Sequence, residues 1–145
     1  ESHLSTKLKG SFFGIEPEHG VFHMLRAIYE GIAFAHKMHI DLLSSVGIAR
    51  NKAALSGGAS NSPVWCQLFA DVLNLEVRTT KSGQVGGLGA AICTSVALGE
   101  YAGFTAAEQA MVSIENVFTP NLAVHNVYME RYNRFRELVQ KFNDI

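Results

Sequence analysis

The segment with the clearest capacity for chemistry is a paired-glycine turn at residues 56–63, Ser-Gly-Gly-Ala-Ser-Asn-Ser-Pro. Gly57 and Gly58 let a bulky anion approach the backbone, and the first free N–H groups of the helix that follows favour a phosphate. The segment is neither a Walker A loop nor a GxGxxG motif. An ordinary glycine-rich turn with a good helix cap therefore stays an alternative. The polar side chains available to a nucleotide or a sugar are those of Ser60, Asn61 and Ser62.

A second glycine cluster lies between a predicted strand and a predicted helix. It contains Gly83, Gly86, Gly87 and Gly89. Small residues let a helix approach a sheet closely, so we favour tight packing over a second anion site here. Gln84 is the one polar side chain in this turn that we expect to be oriented, through bonds to backbone groups.

The remaining polar residues favour structural roles over catalytic ones. His19 and His23 are four residues apart on one predicted helix face, but no third ligand is near in sequence, so no metal site is predicted. Arg26 and Glu30 have the spacing of an ion pair within a helix. Asp71 lies in the middle of a predicted helix and is interpreted as structural. No motif for a nucleophile is present, and no catalytic residue is assigned within the chain.

The hydrophobic pattern predicts an α/β arrangement in which helices alternate with two short strands. Residues 1–18 are predicted to form a loop or a short extended segment. The first helix is apolar on two sides and should be covered on more than one face. Gly47 is predicted to end it, while Ser62 and Thr105 are predicted to cap later helices. The predicted helices are residues 19–46, 63–74, 88–99, 105–113 and 122–142, and the predicted strands are residues 52–56 and 75–80.

Length and composition indicate about one domain with a real hydrophobic core. The chain has 145 residues, of which 48% are hydrophobic and 17% charged, which excludes disordered, collagen-like and coiled-coil proteins. A net charge of −1 leaves no basic surface for nucleic acid and no polybasic run for a membrane. Cys66 and Cys93 both fall in predicted helices, so we expect two buried, reduced thiols and a cytoplasmic protein. The chain begins at Glu1, as expected for a piece of a longer protein.

Two blocks of the sequence resemble the FGGY family of carbohydrate kinases. The first joins residues 10–15, Gly-Ser-Phe-Phe-Gly-Ile, across seven residues to residues 23–30, His-Met-Leu-Arg-Ala-Ile-Tyr-Glu. The second comprises residues 57–59, 65–72, 88–91 and 99–101. The two blocks have the order found in the family and together span roughly residues 7–101. The final predicted helix is similar to the tail of the family.

The resemblance implies an actin-like fold, also called ribonuclease H-like or hexokinase-type, in a protein of two domains. Residues 1–145 would be an incomplete C-terminal, nucleotide-binding domain, with the N-terminal domain absent. The implied reaction transfers the γ-phosphoryl group of ATP, with Mg²⁺, to a hydroxyl of a sugar. The catalytic base of the family is an aspartate, and no aspartate of this chain matches its motif. The base is therefore expected in the part of the protein that this sequence lacks.

The resemblance also assigns binding roles to residues of the paired-glycine turn. It implies that Gly57, Gly58 and Ala59 contact the phosphates of the nucleotide. Asn61 and Ser62 lie where the family's loop approaches the nucleoside. The sequence departs from the family at Gln84 and Gly87, where an acidic residue and an alanine are common. Any role that needs a carboxylate at position 84 is therefore in doubt.

Within the family, residues 9–14 and 27–36 are most similar to ketopentose kinases of the L-xylulose and 3-keto-L-gulonate type. Kinases of glycerol, D-xylulose or gluconate remain alternatives, as does a non-catalytic interaction module. The expected partners are a small sugar and MgATP, without nucleic acid or membrane. We also expect the protein to form a homo-oligomer.

Overall fold

The computed structural model describes residues 10–143. The helices within this range are α1 Val21–Ser45, α2 Pro63–Leu73, α3 Val85–Ala97, α4 Phe104–Met111 and α5 Leu122–Asn143. The strands are β1 Lys52–Ala54, β2 Glu76–Thr80 and β3 Ile114–Phe118, and a 3₁₀ turn covers Gly58–Asn61. Residues 10–18 contain neither helix nor strand, as predicted, and α1 begins at Val21, not at the predicted residue 19. Residues 1–9 of the predicted loop lie outside the described residues.

The described chain divides into two compact units. Residues 10–49, 71–74 and 121–143 form a helical unit, and residues 50–70 and 75–120 form a unit built on the sheet. The sheet has the order β1-β2-β3, with β1 parallel to β2 and β3 antiparallel to it. Val77 and Thr79 of β2 are buried, and the alternate residues of that strand are partly exposed. This alternation is typical of a strand with one covered face.

Strand β3 was missed by the prediction, which gave only two strands. Its sequence, Ile-Glu-Asn-Val-Phe, leaves four of five residues exposed and includes Glu115 and Asn116, which do not favour strands. Pairing with β2 stabilises the strand although its own sequence does not favour one. Val117 lies opposite Arg78, and Asn116 donates its side-chain N–H to Thr79 Oγ1 at 3.2 Å.

The end of α1 confirms the predicted stop at Gly47. The residue has φ +83, the left-handed region that glycine adopts without strain. Its N–H donates to the carbonyl of Ser44 at 3.0 Å, and the Ile48 N–H donates to the carbonyl of Leu43 at 2.9 Å. These two bonds form a Schellman motif, which satisfies helix carbonyls that have no partner further along the helix.

Two further helix starts differ from the prediction. Helix α3 begins at Val85 and not at residue 88, so Gly86, Gly87 and Gly89 lie within its first turns. Helix α4 begins at Phe104, and the first helical bond runs from the Ala107 N–H to the Gly103 carbonyl at 3.1 Å. The predicted cap at Thr105 is therefore wrong, because that residue already lies inside the helix.

The core of the helical unit is aromatic and joins α1 to α5. The ring of Phe34 lies 6.2 Å from that of Tyr128, 5.9 Å from that of Tyr132 and 5.6 Å from that of Phe135. Beside them, Arg26 Nε contacts Glu30 Oε1 at 2.8 Å, which confirms the predicted ion pair. The contacts between the aromatic rings of α1 and α5 add to the stability that burial of apolar area supplies.

One charged cluster in this unit is held by a tyrosine. Tyr132 Oη donates to Asp41 Oδ2 at 2.6 Å, and Lys37 Nζ pairs with the other carboxylate oxygen. Burial raises the pKa of Asp41, but the bonds from Lys37 and Tyr132 outweigh it, so this pKa lies below its usual value. Burial and the neighbouring carboxylate raise the pKa of Tyr132.

Much of the apolar surface of α1 has no cover within residues 10–143. Phe22 is 80% exposed, and its apolar neighbours along the helix are exposed as well. They are Val21, Leu25, Ile28, Ile32, Leu42 and Leu43. The prediction that α1 is covered on more than one face is therefore not met within the described residues. Among residues 10–143, no helix combines the length and the apolar character that crossing a bilayer requires.

Replacing Gly47 tests the Schellman motif. We expect Gly47→Ala to lower the free energy of unfolding by about 1–2 kcal/mol, because a β-carbon strains the left-handed conformation. Gly47→Asn should cost less, since asparagine tolerates this region. Urea unfolding of the intact protein measures both changes. An alanine variant as stable as the wild type would contradict the assignment.

Replacing Tyr132 tests the cluster around Asp41. The pKa of Asp41 is lower in the folded protein than in the unfolded chain, where it is about 4. This carboxylate therefore stabilises the fold above the unfolded pKa, and the stabilisation is lost as the pH falls through the folded pKa. We expect Tyr132→Phe to cost about 0.5–1.5 kcal/mol at neutral pH, because it removes one hydrogen bond. That cost should shrink below about pH 4.

The control for this pH dependence is Tyr101→Phe. The Tyr101 hydroxyl forms no hydrogen bond within residues 10–143, so its removal should change stability little at any pH. Urea unfolding at neutral pH and at about pH 3 compares the two variants. An equal loss of stability for Tyr132→Phe at both pH values would show that Asp41 is not the partner that matters.

Candidate functional site

The parallel pairing of β1 and β2 places two loops at one edge of the sheet. Ala54 is opposite Arg78, and the Leu55 N–H extends the pairing by donating to the Arg78 carbonyl at 2.9 Å. The loop of residues 55–62 follows β1 and leads to α2, and the loop of residues 81–84 follows β2 and leads to α3. Ligands of open α/β sheets bind outside the carboxyl ends of the strands, which is this edge.

The paired glycines form a tight turn whose conformation requires glycine. Gly57 has φ +79 and ψ −160, a region that is essentially closed to residues with a β-carbon. Its carbonyl accepts two bonds from Ser60, one from the N–H at 3.1 Å and one from Oγ at 2.7 Å. The Ser62 N–H donates to the Ala59 carbonyl at 3.2 Å. These bonds hold the 3₁₀ turn of Gly58–Asn61.

Two amide groups of this turn take no part in the hydrogen bonds that hold it. Within residues 10–143, the N–H groups of Gly58 and Ala59 donate to no other group. Gly58 is exposed, and a β-carbon built on it would meet nothing within 4 Å. The backbone is therefore open to a ligand at this point, and adjacent free N–H groups favour an anion.

Helix α2 begins directly after the turn, as predicted. The Trp65 N–H donates to Ser62 Oγ at 3.3 Å, and Pro63 occupies the first helical position, where no N–H is needed. This confirms Ser62 as the cap of α2. Its hydroxyl oxygen accepts this bond and its O–H remains a donor, while the Asn61 side chain is exposed.

The site carries no charged side chain of its own. Residues 53–70, which include the whole turn and the start of α2, contain no Asp, Glu, Lys or Arg. Within residues 53–70, the groups that can bind an anion are backbone N–H groups, uncharged polar side chains and the positive end of α2. The same composition means that the turn has no carboxylate with which to hold a divalent cation.

Cys66 is the residue of this site that the sequence did not reveal. It is fully buried, and its Sγ lies 3.6 Å from the Ala59 carbonyl oxygen and 3.7 Å from that of Ser60. Burial raises the pKa of the thiol, so it stays protonated and can donate. Cys93 of α3 is exposed, so the prediction of two buried thiols is wrong for that residue.

The second glycine cluster makes no close contact within the described residues. A β-carbon at Gly86 or Gly89 would meet nothing within 4 Å, and one at Gly87 would meet only the β-carbon of Gln84, at 3.9 Å. The tight packing predicted for these glycines is therefore not found there. Gln84 precedes α3 and does not cap it with its side chain, contrary to the expected orienting bond.

The histidines and the aspartate considered in the sequence have structural partners. His19 Nδ1 accepts the Glu16 N–H at 3.0 Å, and His23 Nδ1 accepts the Gly20 N–H at 3.2 Å. The part of the chain that the structure describes holds no cluster of three metal-binding side chains. Asp71 is buried and its Oδ1 accepts the Asn121 N–H at 2.8 Å, which confirms its structural role.

Comparison with known proteins supports the resemblance drawn from the sequence. Over 138 residues the chain is 28% identical to L-xylulose/3-keto-L-gulonate kinase of Escherichia coli K12, covering 95% of the chain and 28% of that protein. It is also 28% identical to a xylulose kinase of Staphylococcus epidermidis, covering 96% of the chain and 28% of that protein. The chain thus spans little more than a quarter of the length of these relatives.

Comparison of the fold with solved structures identifies the same family. The crystal structure of gluconate kinase from Lactobacillus acidophilus superposes with a TM-score of 0.83 at 25% identity, covering 94% of the chain and 27% of that protein. The actin-like α/β fold that the resemblance implied is thereby confirmed. Residues 3–98 match the C-terminal domain of the FGGY family of carbohydrate kinases. The chain belongs to this family.

Proposed function

We propose that the protein containing this chain is an ATP-dependent sugar kinase and that this part of it binds the nucleotide. The observation that supports the proposal is the turn after β1, in which two free backbone N–H groups lie beside the start of α2. The binding residues in this proposal are Gly57, Gly58, Ala59, Asn61 and Ser62.

Each of these residues has a separate role in the proposed site. The N–H groups of Gly58 and Ala59 donate to phosphate oxygens, and Gly57 supplies the backbone conformation that exposes them. Asn61 and the Ser62 hydroxyl lie one step further along the turn and contact the nucleoside. Bound ATP supplies the γ-phosphoryl group that is transferred to a sugar hydroxyl.

The remaining parts of the reaction are assigned outside this turn. Since residues 53–70 carry no carboxylate, we propose that Mg²⁺ arrives with the nucleotide and is held by its phosphates and by ligands elsewhere. The catalytic base and the sugar contacts belong to the rest of the protein. We further propose that the kinase acts in the cytoplasm, where ATP is available, and forms a homo-oligomer.

A ketopentose or a related keto sugar is the proposed acceptor. Its support is the similarity to the L-xylulose/3-keto-L-gulonate and xylulose kinases. We expect the full-length protein to show its highest kcat/KM with L-xylulose among L-xylulose, D-xylulose, 3-keto-L-gulonate, gluconate and glycerol. A coupled assay of ADP release measures this order. A preference for glycerol or gluconate would contradict the assignment of the sugar.

Gly58→Val tests the nucleotide site. A β-branched side chain there occupies the space from which a phosphate would approach the free N–H groups. We expect the Kd for MgADP to rise at least about tenfold, because the hydrogen bonds that are lost are made to a charged group. Calorimetric titration of MgADP into the full-length protein measures this.

Gly103→Val provides a matched control for this substitution. Gly103 has an extended backbone and open space around its α-carbon, but it precedes α4 and lies outside the proposed site. We expect its valine variant to bind MgADP as the wild type does. If Gly58→Val also kept the wild-type Kd, the assignment of nucleotide binding to this turn would be overturned.

A further inference from the structure

We propose that Cys66 is a positioning residue for nucleotide binding and that its thiol sets the geometry of the paired-glycine turn. The inference rests on the proposed function, since it names a residue that acts on the nucleotide site through the turn. Cys66 makes no contact of its own with the proposed phosphate position.

The contacts of Cys66 run from α2 back to the turn. Its Sγ is 3.6 Å from the carbonyl oxygen of Ala59 and 3.7 Å from that of Ser60, within the range of weak thiol hydrogen bonds. Its own N–H donates to the Ser62 carbonyl at 2.9 Å, which fixes the residue in the first turn of α2. The thiol therefore connects the rigid helix to the two peptide groups at the centre of the turn.

A short chain of bonds leads from this thiol to the free amides. Ser60, whose carbonyl lies near Sγ, holds the carbonyl of Gly57 through both its N–H and its hydroxyl. The peptide between Gly57 and Gly58 is planar and trans, so fixing the Gly57 carbonyl directs the Gly58 N–H to the opposite side. Cys66 thus acts on the orientation of the proposed phosphate donor from inside the protein.

The side chain at position 66 is suited to this task because it is both buried and neutral. The residue is 0% exposed, so an ionised group would be costly there, while an apolar group would leave the carbonyl oxygens without this donor. Serine keeps a donor at this position, whereas valine keeps much of the volume and removes the donor. Alanine removes both the volume and the donor.

The first experiment compares these variants in the full-length protein. We expect Cys66→Val and Cys66→Ala to raise the Kd for MgADP about two- to fivefold, the lower part of the range of one hydrogen bond, because a thiol is a weak donor, with Cys66→Ser near the wild type. The KM for MgATP should follow the Kd, while the KM for the sugar and kcat should stay close to wild-type values. A purely structural role would lower thermal stability without this separation.

The second experiment uses the thiol itself as a reporter. We expect MgADP to slow the modification of Cys66 by N-ethylmaleimide, because this buried thiol reacts only when the turn opens locally and a bound nucleotide makes that opening rarer. Modification is quantified by peptide mass spectrometry, so Cys93 serves as an internal control. Cys93 is exposed on α3 and should react at the same rate with or without MgADP.

The outcomes separate the two proposals. If wild-type protein binds MgADP and Gly58→Val does not, the nucleotide site stands. In that case, wild-type affinity in Cys66→Val and Cys66→Ala, or a Cys66 modification rate that MgADP leaves unchanged, overturns the positioning role alone. If the wild type does not bind MgADP, both the proposed function and the role of Cys66 are overturned.

Discussion

The site depends on the parallel hydrogen bonding between β1 and β2. Because Ala54 lies opposite Arg78, both strands end at the same edge of the sheet, and the loops that follow them emerge side by side. A parallel pair requires a crossover connection, and the first loop and α2 lie within it. The same strand pairing therefore positions both the paired-glycine turn and the start of α2.

The chemistry of this turn follows from the absence of charge. Residues 53–70 contain no charged side chain, and the Cys66 thiol is neutral. Within this range, therefore, no charged side chain binds an anion in place of the backbone. Within this range, the groups that can bind it are the N–H groups of Gly58 and Ala59 and the positive end of α2. Backbone donors held by internal bonds need little reorganisation when a ligand binds, which favours affinity.

Features determined by neighbouring residues could be predicted from the sequence. The stop at Gly47, the cap at Ser62 and the Arg26–Glu30 pair each involve residues within five positions of one another. Features that depend on distant pairing could not. Strand β3 is stabilised by bonds to a strand more than thirty residues away, and its own sequence has weak strand propensity. Thr105 shows that a good capping pattern can lie inside a helix, because α4 already begins at Phe104 with Gly103 as its cap.

The sequence by itself determined the family, the position of the glycine turn and most helices, because these depend on short patterns along the chain. The tertiary structure decided which of the two cysteines contacts the turn. Cys66 and Cys93 both lie in helices, but only Cys66 is buried against carbonyl groups of the turn. Burial depends on what the folded chain brings against a side chain, and no local pattern around either cysteine contains that information.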